Sequence, residues 1–169
     1  QSELVSGWWN FRLQGLAAIY GRMCLPVPIS PSSGGPGSDV GDIIMRILIL
    51  VDLQYDFMPG GALAVAEGDQ VVPVAKRLIP HFDWVVATQD WHPADHLSFA
   101  SQHQGNIVGD LVELDGLTQV LWPDHCVQGT RGALLHEELD TERIRHVVQK
   151  GTDQRIDSYS GFFDNGHHK

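Results

Sequence analysis

The chain has 169 residues, two of them cysteine, and a formal charge of −10 from 11 basic and 21 acidic side chains. That length suits one domain with an ordinary core, two cysteines exclude a disulfide scaffold, and 43% hydrophobic against 19% charged residues excludes wholesale disorder. The acidic balance without a Lys/Arg-rich run argues against nucleic acid or an anionic membrane as partner, and no stretch approaches the roughly 18–20 apolar residues that span a bilayer.

The sequence starts at Gln1. Residues 4–25 are moderately apolar, carry Arg12 and Arg22, and lack the charged, apolar, small-residue order of a signal peptide. Leu13, Leu16, Ala17 and Tyr20 would share one face of a short helix, while Trp8, Trp9 and Phe11 form a sticky patch or an interaction tail. Residues 26–38 are dense in Pro, Gly and Ser and read as a flexible linker. The expected folded unit therefore starts near Met45, with residues 1–44 as an appendage and 45–169 as the domain.

Residues 47–51 (Ile-Leu-Ile-Leu-Val) are apolar on both faces, which predicts a buried parallel strand ending at Asp52. Val71, Val74, Ala75, Leu78, Ile79 and Phe82 fall at helical spacing, with Asp69 placed as the cap and Pro73 near the first turn. Residues 84–88 predict a second strand ending just before Asp90. Residues 130–139 predict a second helix with Ala133, Leu134 and Leu139 inward, and residues 145–149 a third strand ending at Lys150. Strand, helix, strand, helix, strand predicts an α/β fold with a parallel sheet and right-handed crossovers. Ligand sites in such sheets lie beyond the C-terminal strand ends, where Asp52, Asp90 and Lys150 all fall.

Three groups of residues have the make-up for chemistry. Asp90 and His92 are two apart just after a strand, and His125 in Trp122-Pro123-Asp124-His125 would complete a set of two histidines and one carboxylate. Such a set leaves open positions on zinc, iron or manganese. His96 is a candidate fourth ligand if a helix starts at His92, and Asp95 and Asp124 read as turn caps. The competing reading is of loop histidines and turn-shaping prolines. Asp52 is the second group: a carboxylate at the tip of a buried strand suits a proton shuttle, against the alternatives of a loop cap and of Asp56 in that role. Lys150 is the third, either holding a negative charge near a carboxylate or lying on the surface. Cys126, directly after His125, is either a small buried hydrophobe or a nucleophile, and Cys24 lies in the appendage. Neither cysteine has a CxxC partner that would make it a metal ligand.

Residues 47–166 resemble the nicotinamidases of the isochorismatase-like cysteine hydrolase superfamily. The matching pieces are Val51-Asp52-Leu53-Gln54-Tyr55-Asp56-Phe57, Pro59-Gly60-Gly61-Ala62-Leu63, Thr88-Gln89-Asp90-Trp91-His92-Pro93 and His96-Leu97-Ser98-Phe99-Ala100. They continue with Trp122-Pro123-Asp124-His125-Cys126-Val127, Lys150-Gly151 and Asp157-Ser158-Tyr159-Ser160-Gly161-Phe162. The resemblance implies a three-layer α/β/α sandwich around a mostly parallel sheet. It implies hydrolysis of nicotinamide to nicotinate and ammonia, a step of NAD salvage, through a cysteine thioester. Asp52 then matches the proton shuttle and Lys150 its support. Asp90, His92 and His125 match the ligands of one divalent metal, zinc first and iron or manganese otherwise, with His96 a fourth in some members. Phe57 and Trp122 match aromatic walls for the substrate ring.

In the family the nucleophile lies several tens of residues after the Lys-Gly, at the start of a helix. The sequence given runs to Lys169, and Cys126 matches the non-catalytic cysteine after the ligand histidine. The expectation is thus a C-terminally incomplete nicotinamidase, carrying the metal and proton-shuttle half of the site without the nucleophilic cysteine, and nearly inactive by itself. The alternatives are a metal-binding remnant and another isochorismatase-like amidohydrolase. The expected compartment is the cytoplasm, from a thiol chemistry without a visible export signal. The expected partner is the small-molecule substrate, with a homo-oligomer left open.

Overall fold

The computed structural model describes residues 18–24 and 44–167. Strands β1 (Ala18–Cys24), β2 (Ile44–Val51) and β3 (Trp84–Asp90) come first in chain order, then a hairpin of β4 (Leu111–Leu114) and β5 (Leu117–Val120), and finally β6 (Ile144–Lys150). The main sheet has the order β1-β2-β3-β6, with β2, β3 and β6 parallel and β1 antiparallel to β2. All three expected strands are present, each longer than expected. The architecture is mixed α/β with a parallel central sheet. The sheet also crosses the boundary expected at Met45, because β1 pairs with β2 from Ala18↔Leu50 to Cys24↔Ile44. Tyr20 of the expected N-terminal helix lies in β1; Leu13, Leu16 and Ala17, the tryptophan pair and the 26–38 linker are outside the described residues.

Helix α1 (Val71–Leu78) supplies the crossover between β2 and β3. Val72, Ala75 and Ile79 recur at helical spacing and are buried against Leu48, Leu50, Val85 and Ala87 of the sheet. Pro80 has no N–H to give the Lys76 carbonyl, so the helix tightens into a 3₁₀ turn over Ile79–His81. Asp69 does not cap it. The preceding residues Gly68–Gln70 already form a 3₁₀ turn that runs into the helix, and Gln70, at the N-cap position, makes no side-chain capping bond.

The helix expected over 130–139 is absent, and its hydrogen bonds explain why. The carbonyls of Gly132 and Leu134 accept the N–H groups of Asp56 and Tyr55, and Ala133 O accepts the side-chain amides of Gln54 and Gln89. His136 N–H donates to Leu53 O. The segment spends its backbone groups on the loop after β2 instead of on its own turns. Tertiary pairing overrides its helical spacing. The β4–β5 hairpin was not among the expected elements, although its turn is Asp115-Gly116 with φ of +50° and +81°. That is the dipeptide that two-residue hairpin turns favour.

Candidate active site

Parallel pairing brings three strand ends together. Val51 is in register with Thr88, and Asp90 with Lys150. Lys150 is buried, donates from Nζ to Asp90 Oδ1, and lies 3.0 Å from Asp52 Oδ2. Of the two readings of Lys150, the surface lysine is thereby excluded. Asp52 itself sits at φ +54°, in the left-handed region that Asp tolerates better than most residues. Its Oδ1 accepts the Thr88 hydroxyl at 2.7 Å. A carboxylate flanked by a hydroxyl and an ammonium, at the mouth of a sheet, is held in one orientation.

Asp90 is held from both sides by Gln54, whose Oε1 accepts the Asp90 N–H at 2.8 Å and whose Nε2 donates to the Asp90 carbonyl at 2.7 Å. Two residues on, His92 is anchored by its N–H to Cys126 O (3.0 Å) and by its Nδ1 to Gly151 O (2.9 Å). Gly151 has φ +63°, and a Cβ there would stand 2.3 Å from His92 Cε1, so only glycine admits the ring. His125 Nδ1 likewise meets Pro123 O at 2.8 Å. A carbonyl accepts only, so both rings carry their hydrogen on Nδ1 and leave the Nε2 lone pair available.

Those two Nε2 atoms converge on Asp90, 3.8 Å from Oδ1 for His92 and 3.9 Å from Oδ2 for His125. The three donor atoms lie within 4.8 Å of one another, all on buried residues. His92 Nε2 is buried with no hydrogen-bond partner among the described residues. Burial, outweighing the Asp90 charge, pulls the His92 ring below its usual histidine value and keeps it neutral. A buried, neutral imidazole with an orphaned lone pair, beside a carboxylate and a second imidazole, is a set of donors that fits zinc, iron or manganese.

His96 is buried beside His92, with ring centroids 4.5 Å apart, but reaches there through a turn at 94–95 and not a helix. Ser98 N–H donates to His96 Nδ1 at 3.1 Å, so the neutral ring bears its hydrogen on Nε2. His92, His96 and Asp157 form a second close group of donors. Asp124 and Asp95, expected as turn caps, instead bond side chains distant in the chain: Asp124 Oδ1 accepts the Ser101 hydroxyl at 2.6 Å, and Asp95 Oδ2 accepts a hydrogen from Gln154 Nε2 at 2.8 Å.

Phe57 is buried and meets the His125 ring edge-on, with centroids 5.9 Å apart. Trp122 donates from Nε1 to Tyr159 OH at 3.3 Å. Sequence reasoning overlooked Phe99, which is fully buried and packs against His92, His96 and His125. It also overlooked the Gln54 clamp. Gln54 and Phe99 both stand inside the pieces that carry the resemblance, but an amide or a phenyl ring there has no chemistry of its own to single it out. Cys126 is buried and reduced. Burial, then the charges of Asp90 and Asp56, push its thiol well above the ordinary cysteine range, so it stays protonated and behaves as a small hydrophobe.

The fold and this site define a parallel-sheet α/β domain with metal-competent donors and an Asp–Lys pair at its strand ends. The chain belongs to the isochorismatase family: the Isochorismatase domain matches residues 46–166. It is 56% identical over 128 residues to the nicotinamidase of Escherichia coli, covering 72% of this chain and 58% of that protein. Among solved structures, a nicotinamidase/pyrazinamidase of Acinetobacter baumanii matches with a TM-score of 0.68 and 44% identity, over 72% of this chain and 58% of the other. The pyrazinamidase of Pyrococcus horikoshii, solved in complex with zinc, matches with a TM-score of 0.53 and 38% identity, over 69% and 56% of the two chains. The chain spans 56–63% of the length of the curated relatives it matches. No helix among the described residues is long and apolar enough to cross a membrane.

Proposed function

We propose that the chain carries the metal-binding and proton-relay part of a nicotinamidase, hydrolysing nicotinamide to nicotinate and ammonia in cytoplasmic NAD salvage. The observation that supports this reading best is the shared carboxylate of Asp90. One oxygen is paired with Lys150 and faces His92, while the other faces His125. One residue thus joins the donor set to the Asp52–Lys150 pair. Relatives named nicotinamidase supply the substrate.

Asp90, His92 and His125 would hold one divalent ion, zinc by preference. When bound, that ion supplies a Lewis-acidic position for the ring nitrogen of the substrate. Phe57 and Trp122 flank the flat ring and exclude water from its faces. Asp52 takes a proton from the attacking thiol at one carboxylate oxygen and returns it to the leaving ammonia. Lys150 holds that carboxylate in place from 3.0 Å. The thiol belongs to a cysteine other than Cys126, whose sulfur is buried and protonated. His96 is the candidate fourth ligand, buried beside His92 and in one donor group with it and Asp157.

The test is ammonia release from nicotinamide by the full-length gene product loaded with zinc. Asp52→Asn should cut the rate on the order of 10²–10⁴-fold while zinc content stays unchanged, because an amide cannot shuttle the proton. Undiminished turnover in Asp52→Asn would remove Asp52 from the mechanism. A wild-type protein that binds zinc and turns over nothing would be the metal-binding remnant instead.

A further inference from the structure

Asp56 lies in the 3₁₀ turn Tyr55–Phe57, four residues past the proton-shuttle candidate, and the mechanism above gives it no part. Its contacts are specific. Oδ2 accepts the Cys126 N–H at 2.7 Å and Oδ1 accepts the Ala62 N–H at 3.2 Å. The Cys126 N–H belongs to the peptide unit whose carbonyl is that of His125. A carboxylate bonded there sets the plane of that peptide, and with it the direction in which the His125 side chain leaves the backbone. Cys126 needs such help: its φ is +47°, a conformation L side chains rarely adopt. Its carbonyl in turn accepts the His92 N–H at 3.0 Å. One carboxylate therefore reaches His125 through a shared peptide and His92 through the next carbonyl.

The surroundings are shaped for this carboxylate. Asp56 N–H donates to Gly132 O at 3.0 Å, and Asp56 O accepts the Leu63 N–H at 3.0 Å. A Cβ on Gly132 would stand 2.0 Å from Asp56 Oδ2, so the absent side chain is what leaves room for it. Charge-assisted bonds from a carboxylate to backbone N–H groups are about twice as strong as neutral ones.

We propose that Asp56 is the positioning residue of the metal centre: its carboxylate fixes the His125–Cys126 peptide and so aims the His125 and His92 donors at one ion. The proposal rests on the metal reading above, and the experiment separates the two. Zinc affinity is measured on the 169-residue chain by competition with a chromogenic chelator, for wild type, Asp56→Ala, Asp56→Asn and Asp83→Asn. The visible spectrum of each cobalt-loaded protein is recorded beside it. Asp83 is the control for a purely structural loss, since it accepts the Arg46 N–H at 2.9 Å and pairs with the Arg46 side chain on the exposed side of the sheet.

Asp56→Ala should weaken zinc binding roughly 10–100-fold and change the cobalt bands, the scale seen when groups that orient metal ligands are removed. Asp56→Asn, which keeps one acceptor oxygen, should fall between it and wild type. Asp83→Asn should leave affinity and bands per bound metal unchanged. If Asp56→Ala does not fold, Asp56→Asn alone decides, with weakened binding and altered bands as the supporting result. Wild-type affinity and unchanged bands in the folded Asp56 variants would overturn the positioning role and leave the metal reading standing. A wild-type chain that binds no zinc would overturn both.

Discussion

His92→Ala should abolish stoichiometric zinc binding by this chain, whereas His103→Ala should leave about one zinc per chain, as three protein donors and open positions hold in a catalytic zinc site. The difference lies in what each ring nitrogen already does. His103 Nε2 meets Leu97 O at 2.8 Å, in neither of the two donor groups. His92 Nε2 is buried, has no hydrogen-bond partner among the described residues, and lies 3.8 Å from Asp90 Oδ1. Removing it leaves one imidazole and one carboxylate, too few to compete with water for the ion. His125→Ala should act in the same way, because it deletes the other nitrogen of the set. Circular dichroism would check that each variant is folded, and metal content per chain after dialysis would give the result. One zinc retained by folded His92→Ala would place the metal elsewhere.

Lys150→Ala should cost about 3–5 kcal/mol of stability in the metal-free chain, the scale for breaking a buried ion pair by removing one partner. Lys150 is buried between two carboxylates, donating to Asp90 and lying 3.0 Å from Asp52. Asp90 is itself fully buried. Without the ammonium, two like charges face each other across the ends of β2 and β3 with little water to screen them. Lys150→Met should be nearly as damaging, because filling the volume restores no charge, and Lys150→Arg should recover part of the loss. Urea midpoints of the three variants would measure this. A Lys150→Ala loss below about 1 kcal/mol, the value of an exposed pair, would mean that Lys150 is in effect solvated.

Much of this was legible in the chain. Residues 47–51 are an apolar run ending at Asp52, and residues 84–88 are a mostly apolar run ending two residues before Asp90, a pattern that suits buried parallel strands; residues 145–149 hold only Val147 and Val148 as apolar residues and end at Lys150. Given three such strands, Asp52, Asp90 and Lys150 had to meet at one end, because parallel strands share their direction. The spacing of Asp90, His92 and His125 left a metal set and ordinary loop histidines both open; the resemblance to the nicotinamidases implied the first, and the fold brings the three donors together.

What the sequence could not decide were interactions between segments far apart in the chain. Residues 130–139 are spaced as a helix, yet their carbonyls accept the N–H groups and amides of residues 54–56 and Gln89. Helical spacing is a local signal, and it loses where donors from elsewhere claim the same carbonyls. Strand β1 lies in a span that composition marks as an appendage, because pairing with β2 needs only backbone hydrogen bonds in register. The state of each histidine was equally a tertiary matter. Gly151 O and Pro123 O set the hydrogen on Nδ1 of His92 and His125, while Ser98 N–H sets it on Nε2 of His96. Sequence alone determined that three histidines and a carboxylate could share a site; which nitrogens carry lone pairs was decided by carbonyls and N–H groups that only the folded chain brings to them.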